Sequence, residues 1–264
     1  MLALYCAGHT NVSLTAGPNE VTFRQFIMSR EPIEMTVESV TLEVPDSKTI
    51  RLQWPAGYEM DFKTGQFITC YWPDEPAYKR AYSLSSCALD RGFYEFTVRR
   101  DGKMGTRIVD WIKPGQRFMV LPPAGKFLPV YEPDQHLICI AGGSGVTPFR
   151  AFVREATRRK FSTKISVLYS VRTTADVIFG EEFRSLEREN PHFKFDVTCT
   201  RLASGDPWPG RRGRIDAAWV KAHVSDLAKT VFYACGPTTL VEFAEGVVFE
   251  LGAPKAQMKT EKWG

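Results

Sequence analysis

The rhythm of the chain changes near residue 130, and no other feature constrains its fold as much. Before that point, from about Ile33 to Val130, short β-rich runs recur at 35–42, 49–53, 66–72, 94–99 and 117–121. Turn clusters separate them: Pro45-Asp46, Pro55-Ala56-Gly57, Asp90-Arg91-Gly92 and Lys113-Pro114-Gly115. This spacing predicts an antiparallel barrel or sandwich, with only 106–112 reading as helical. Residues 129–135 form a proline-punctuated linker. Beyond it, strand patterns at 137–141, 165–171, 195–200 and 231–235 alternate with helical patterns at 148–160, 180–188, 216–222 and 237–251. Alternation on this scale predicts a parallel, doubly wound sheet. The expected fold is therefore a two-domain β plus α/β chain. An antiparallel β-barrel occupies 32–130, an α/β nucleotide-binding domain occupies 136–264, and 1–31 is a polar extension of no clear period.

Composition narrows the class. A length of 264 residues allows one large or two medium domains. No apolar run is long enough to span a bilayer. The first ten residues lack a basic n-region, so no signal peptide is expected. Cys6, Cys70, Cys87, Cys139, Cys199 and Cys235 are scattered, with no CxxC pair. That pattern predicts reduced thiols in a cytoplasm and neither a zinc nor an iron–sulfur site. A net charge of +4, with no basic tail or nucleic-acid motif, argues against a nucleic-acid partner.

Four stretches carry candidate chemistry. Arg80-Ala81-Tyr82-Ser83 follows an aromatic, β-branched strand and puts a cation, a flat ring and a hydroxyl close together. Arginine grips phosphate, an aromatic ring stacks on a planar ligand, and a hydroxyl reaches a ring heteroatom, which suits a flavin nucleotide. The alternative is a strand ending in a Ser-rich turn. Gly102-Lys103-Met104-Gly105-Thr106 opens the single helix of the first half. Exposed N–H groups at a helix start, with glycine allowing close approach, make an anion site; a hairpin turn with a Thr cap is the rival reading. Gly142-Gly143-Ser144-Gly145-Val146-Thr147-Pro148 follows a buried strand and opens a helix, with Thr147 as cap and Pro148 in the first helical position. Such a loop cradles a pyrophosphate or admits a flat ring, although it is not the GxGxxG fingerprint. Cys235-Gly236-Pro237 ends the last of these strands, where ligands of such sheets bind; a buried structural thiol is the alternative there.

These four motifs, with the tail Glu261-Lys262-Trp263, resemble the ferredoxin–NADP reductase family of flavoproteins over residues 33–264. The resemblance implies a Greek-key barrel that binds FAD, an α/β domain that binds NAD(P), and a flavin between them. It implies that Arg80 and Ala81 hold flavin phosphate, Tyr82 stacks on the isoalloxazine and Ser83 bonds near N5. Val98 and Arg99 would line the ring, and Met104, Gly105 and Thr106 the pyrophosphate. Thr147 and Cys235 would flank the nicotinamide, and Gly143, Gly145, Gly236 and Pro237 would also bind cofactor. Glu261 joins Ser83 as a candidate for handling the N5 proton, and Cys235 as a third catalytic candidate. Trp263 fits the place of an aromatic that covers the flavin in many members, but Gly264 follows it here.

The implied function is a reductase that takes hydride from NAD(P)H and passes single electrons to a separate acidic carrier: a ferredoxin, a flavodoxin or an oxygenase component. A NAD(P)H:flavin reductase and an electron-input subunit of a larger redox complex are the alternatives. Strand ends carry Arg172 and Arg201, and Arg214 follows a turn-rich loop. Guanidinium groups there suit a 2′-phosphate, so NADPH is expected over NADH. Arg150, Arg154 and Arg158 recur at helical spacing. They read as a solvated face or, more sharply, as a docking face for the acidic carrier.

Overall fold

The computed structural model describes residues 31–263. The expected extension, apart from Glu31, and Gly264 lie outside them. Six strands build the first half: β1 (Ile33–Val44), β2 (Ser47–Gln53), β3 (Phe67–Tyr71), β4 (Arg80–Ser83), β5 (Phe93–Arg99) and β6 (Arg117–Ala124). They pair antiparallel in the order β4-β3-β6-β1-β2-β5. Just past β4 the two sheet edges meet. Leu84 bridges to Phe96, and the Ser85 N–H donates to the Glu95 carbonyl at 2.8 Å. The sheet thereby closes into a barrel filled by Ile50, Leu52, Ile68, Phe96, Phe118 and Val120.

Helix α1 (Gly102–Trp111) plugs one end of this barrel. It begins four residues earlier than the sequence pattern suggests. Two glycines are poor helix formers, but Met104 and Ile108 bury into the barrel core. A Cβ on Gly105 would stand 2.4 Å from the Arg99 carbonyl, so only glycine lets the helix approach β5 this closely.

The second half contains β7 (His136–Gly142), α2 (Thr147–Arg159), β8 (Lys164–Val171), α3 (Gly180–Glu189), β9 (Phe193–Cys199), β10 (Arg211–Arg212), α4 (Ala217–His223), β11 (Thr230–Pro237), α5 (Thr238–Glu250) and β12 (Met258–Trp263). All its strands are parallel, in the order β10-β9-β8-β7-β11-β12. Phe149, Phe152, Phe183 and Phe195 pack one face, and Ile138, Phe232, Val241 and Val248 the other. Val44 of β1 and Phe127 beyond β6 belong to the first of these clusters, so barrel and sheet share apolar core. Burying a side chain the size of Phe127 contributes roughly 1.5–3 kcal/mol.

β10 and β12 are absent from the sequence expectation. β10 is two residues long. β12 reads Met-Lys-Thr-Glu-Lys-Trp, with no apolar run, because it is an edge strand held by backbone pairing to β11.

Candidate active site

The chain runs outward from β7 through β8 and β9 to β10, then returns to β11 on the other side of β7. This reversal opens a crevice beyond the carboxyl ends of β7 and β11, the place where doubly wound sheets bind ligands. The Gly-rich loop and Cys235 sit there. A Cβ on Gly145 would fall 2.1 Å from the Cys235 carbonyl, which fixes glycine at that position. The loop winds a 3-10 turn over Gly143–Val146 before α2 starts. Thr147 is therefore already helical, not the expected side-chain cap, and its Oγ1 donates to the Ser144 carbonyl at 2.6 Å.

Two clefts meet at this edge. The barrel-side cleft, about 290 Å³, is lined by Tyr78, Arg80, Ala81, Tyr82, Ser83, Thr97, Met104 and Gly105, among others. The sheet-side cleft, about 220 Å³, is lined by Asp46, Gly143, Arg172, Asp176, Pro237 and Leu240, among others. Arg99, Ser144 and Trp263 line both and mark the seam.

On the barrel side, the Arg80 guanidinium lies over the Tyr78 ring at 4.4 Å and donates to its hydroxyl at 3.1 Å. No carboxylate pairs with it among the described residues, so its charge is available to an anion. Tyr82 stacks on Phe96 at 5.2 Å, and burial pushes its phenol up. Strand alternation turns Thr97 and Arg99 to the cleft and Val98 into the barrel core. The Val98 side chain is thus not placed as its expected role requires, and Thr97 lies there unforeseen. Thr106 is exposed and outside the lining.

In the barrel-side cleft, Ser83 Oγ donates to Glu261 Oε2 at 2.9 Å, whereas Glu261 itself and the expected nicotinamide residues Gly145, Cys235 and Gly236 line neither cleft. β12 brings Glu261 to Ser83 by pairing it with Cys235 in register. Burial raises the Glu261 carboxyl, partly offset by the Ser83 hydrogen bond. The Cys235 thiol is fully buried, and desolvation plus the Glu261 charge push it well up, so it stays protonated. Trp263 pairs with Pro237 at the end of the same ladder.

On the sheet side, Asp46 accepts from Arg99 Nε at 2.8 Å. Burial opposes the Asp46 charge, but the Arg99 and Ser47 hydrogen bonds outweigh it and hold the carboxyl low. In the sequence Asp46 carries only the signal of a turn. Arg172 lines the cleft, whereas Arg201, which follows the lining residue Thr200, and Arg214 are exposed and outside the lining. The Arg201 N–H donates to the Arg172 carbonyl at 2.7 Å, so these two strand ends are adjacent. Gly236 packs against Leu240 and Gly142 behind the cleft.

Arg150 and Arg154 do not form a solvated face, whereas the side chain of Arg158 stays 45% exposed. All three pair with carboxylates of the barrel: Arg150 with Glu95 at 3.0 Å, Arg154 with Glu95 at 3.2 Å and Arg158 with Asp90 at 2.5 Å. Helical spacing alone could not show that two buried carboxylates of the other half wait opposite.

The geometry fits two nucleotides: adjoining clefts, one lined by Arg80, which no carboxylate pairs among the described residues, and the other by the Gly-rich loop and Arg172. Among the described residues no group of three or more His, Cys, Asp and Glu side chains is placed to hold a metal, and no helix is long and apolar enough to cross a membrane. Residues 34–128 match the oxidoreductase FAD-binding domain family and residues 139–246 the oxidoreductase NAD-binding domain family. Ferredoxin–NADP reductase B of Sorangium cellulosum is 26% identical over 253 residues, covering 90% of this chain and 100% of that one. The glycine betaine monooxygenase reductase subunit of Chromohalobacter salexigens is 28% identical over 207 residues, 77% of this chain. The chain spans only 56% of that subunit's length. A ferredoxin NADP+ reductase from Neisseria gonorrhoeae, solved with FAD and NADP, superposes with a TM-score of 0.74 at 20% identity, covering 89% of this chain and 99% of that one.

Proposed function

The chain belongs to the ferredoxin–NADP reductase family of flavoproteins, and from that premise we propose that it is a FAD-containing NAD(P)H oxidoreductase that supplies single electrons to a separate protein. A ferredoxin, a flavodoxin or an oxygenase component is the acceptor, and a cytoplasm with reduced thiols is its setting. We assign flavin binding to 32–130 and the nicotinamide nucleotide to 136–264.

FAD, when bound, supplies two-electron uptake from a reduced nicotinamide and one-electron release. The chain supplies position and protons. Arg80 and the backbone at Gly105 hold phosphate, and Tyr82 gives the flat ring a wall. Ser83 Oγ carries a proton in the barrel-side cleft, with Glu261 as the reservoir behind it. A carboxyl raised by burial keeps its proton closer to neutral pH, which suits proton exchange. Gly145 lets the Gly-rich loop lie against the Cys235 backbone, and the cleft that Gly143 and Pro237 line beside it takes a second flat ring against the first. Trp263 covers the seam until that ring arrives.

We further propose NADPH as the preferred donor. Arg172 lines the sheet-side cleft, Arg201 donates its N–H to the Arg172 carbonyl, Arg214 is exposed, and among the described residues no carboxylate ion-pairs with any of the three.

The observation that carries the proposal is the Ser83–Glu261 hydrogen bond, which joins a residue of the barrel-side cleft to the edge strand of the parallel sheet. The test is flavin content. The purified protein should carry one FAD and be bleached anaerobically by NADPH. Arg80→Ala should purify pale, because a charge-assisted phosphate contact contributes roughly 1.5–3 kcal/mol. A colourless wild-type protein that reduces only added flavin would support the free-flavin reductase reading instead.

A further inference from the structure

The arginine row of α2 does something beyond binding cofactors. α2 starts at Thr147, which lines the barrel-side cleft next to the Gly-rich loop. Arg150 stands three residues further on, about one helical turn. Its Nη1 donates to Glu95 Oε2 at 3.0 Å, its Nε to Glu182 Oε2 at 2.7 Å, and its guanidinium lies over the Phe179 ring at 4.5 Å. Glu95 belongs to β5, the strand whose end carries Thr97 and Arg99 into the cleft. Its second oxygen accepts from Arg51 at 2.8 Å, and Arg154 adds a contact at 3.2 Å. The Glu95 carbonyl also accepts from Ser85, two residues past Ser83. Of the elements that line the barrel-side cleft, β5 carries Glu95, β4 reaches it through Ser85, and α2, which begins at the sheet-side loop, grips it.

Both partners are largely sequestered: the Arg150 side chain is 12% exposed and that of Glu95 7%. Burial opposes the Glu95 charge, but Arg150, Arg51 and Arg154 outweigh it and keep it ionised. A buried pair like this is poor evidence for stability, since apolar side chains of equal volume serve as well or better. Its specific property is geometric. Glu95 accepts on both oxygens from fixed directions, and planar guanidinium forks admit few alternative arrangements. A packed apolar interface alone tolerates small slides that such a cluster resists.

We infer that the Arg150–Glu95–Arg154 cluster is a positioning device that sets the distance between the two clefts. It touches no cofactor site itself; it holds β5 against the start of α2. The inference rests on the two-nucleotide reading above, because a set distance matters only if two rings must meet. A misplacement of about 1 Å at a reacting pair costs on the order of 100-fold in rate.

The test uses the flavin-loaded protein and two variants. Arg150→Met leaves Glu95 paired with Arg51 and Arg154 and so retains the fold; Arg150→Lys keeps charge without the fork. Arg117→Met, which breaks the exposed pair with Glu34 inside the barrel, is the control. Anaerobic stopped flow with NADPH separates the limiting rate of flavin reduction from the apparent Kd. Hydrogen exchange over 84–96 and 147–158 reports the junction without reference to activity. Arg150→Met should keep its flavin, bind NADPH within about threefold of wild type, and lose 10- to 100-fold in limiting rate, with faster exchange in both segments. Arg150→Lys should fall between, and Arg117→Met should match wild type. An unchanged limiting rate in Arg150→Met overturns the inference, whether or not exchange rises. Unchanged exchange in both segments overturns it as well. If the wild type is not reduced by either nicotinamide, the proposed function fails, and exchange alone decides whether the cluster fixes the two halves.

Discussion

Ser83 Oγ and Glu261 Oε2 lie 2.9 Å apart although 178 residues separate them in the chain. One comes from a barrel strand and the other from the edge strand of the parallel sheet, so the bond exists only when the two halves are correctly joined. Ser83→Ala should slow flavin reduction on the order of 100-fold with little loss of flavin. The pH profile should also move. Burial raises the Glu261 carboxyl and the Ser83 bond lowers it. Removing the serine therefore shifts the Glu261-dependent limb to higher pH, and Glu261→Gln abolishes it. Stopped-flow rates across pH in the three proteins check both statements.

The choice of nicotinamide should follow the strand-end arginines. Arg172 lines the cleft and Arg201 is hydrogen-bonded to it through the backbone. A guanidinium on a 2′-phosphate contributes roughly 1.5–3 kcal/mol. Arg201→Ala should lower kcat/KM for NADPH about 10-fold and leave NADH nearly unchanged. Equal losses for both cofactors, or a wild type that prefers NADH, would remove the assignment.

The joint between the halves should depend on Lys259. Its Nζ donates to the Leu128 carbonyl at 3.0 Å and to the Tyr233 hydroxyl at 3.3 Å, and that hydroxyl accepts from Val130 N–H at 3.1 Å. The cation thus ties the linker to β11 and β12, two residues before Glu261. Lys259→Met loses both bonds, which should cost about 1–3 kcal/mol. A thermal melt should show a fall of several degrees, and a Tm equal to wild type would make the contact incidental.

Acid sensitivity should have a histidine component far from the site. His136 at the start of β7 is 9% exposed, accepts or donates one bond with Ser166 at 2.9 Å, and leaves Nδ1 without a partner. Desolvation, with Lys164 and His223 nearby, pushes its pKa down to about 4. The unfolded chain therefore binds this proton first as pH falls, and stability declines from about pH 6.5 to about pH 4. The contribution is at most about 3 kcal/mol, since a tenfold difference in proton affinity between the folded and unfolded chain is equivalent to about 1.4 kcal/mol. His223 opposes it: its bond to Asp196 raises its pKa, so its contribution is present at low pH and lost as pH rises. His136→Gln should flatten the fall of the urea midpoint between pH 6.5 and 4. An unaltered slope would contradict the assignment.

The barrel and the sheet were legible because their strands announce themselves locally: Ile138-Cys139-Ile140 is apolar throughout, and Phe67-Ile68-Thr69 is β-branched and aromatic. Arg80, Tyr82, Ser83 and the Gly-rich loop were legible for the same reason, as compact runs. What depended on the other half of the molecule was not. β12 carries three charges in six residues, Lys259, Glu261 and Lys262, and is a strand only because β11 pairs with it. Glu95 looked like one more residue of a strand, and Arg150 like one residue of a solvated helix face. Their pairing is a fact of tertiary packing across 55 residues. Val98 and Thr97 exchanged places because the phase of a strand's alternation depends on which face the barrel buries.

The central claim is that electrons pass from a nicotinamide through a retained flavin and leave singly. The most direct measurement is anaerobic double-mixing stopped flow: the purified protein is first reduced by NADPH, then mixed with an oxidised one-electron carrier such as a plant-type ferredoxin. The expected result is full bleaching of one bound FAD, then reduction of two carrier molecules per flavin with no flavin released into the filtrate. Flavin that dissociates before electrons reach the carrier, or bound flavin that NADPH leaves oxidised, would contradict it.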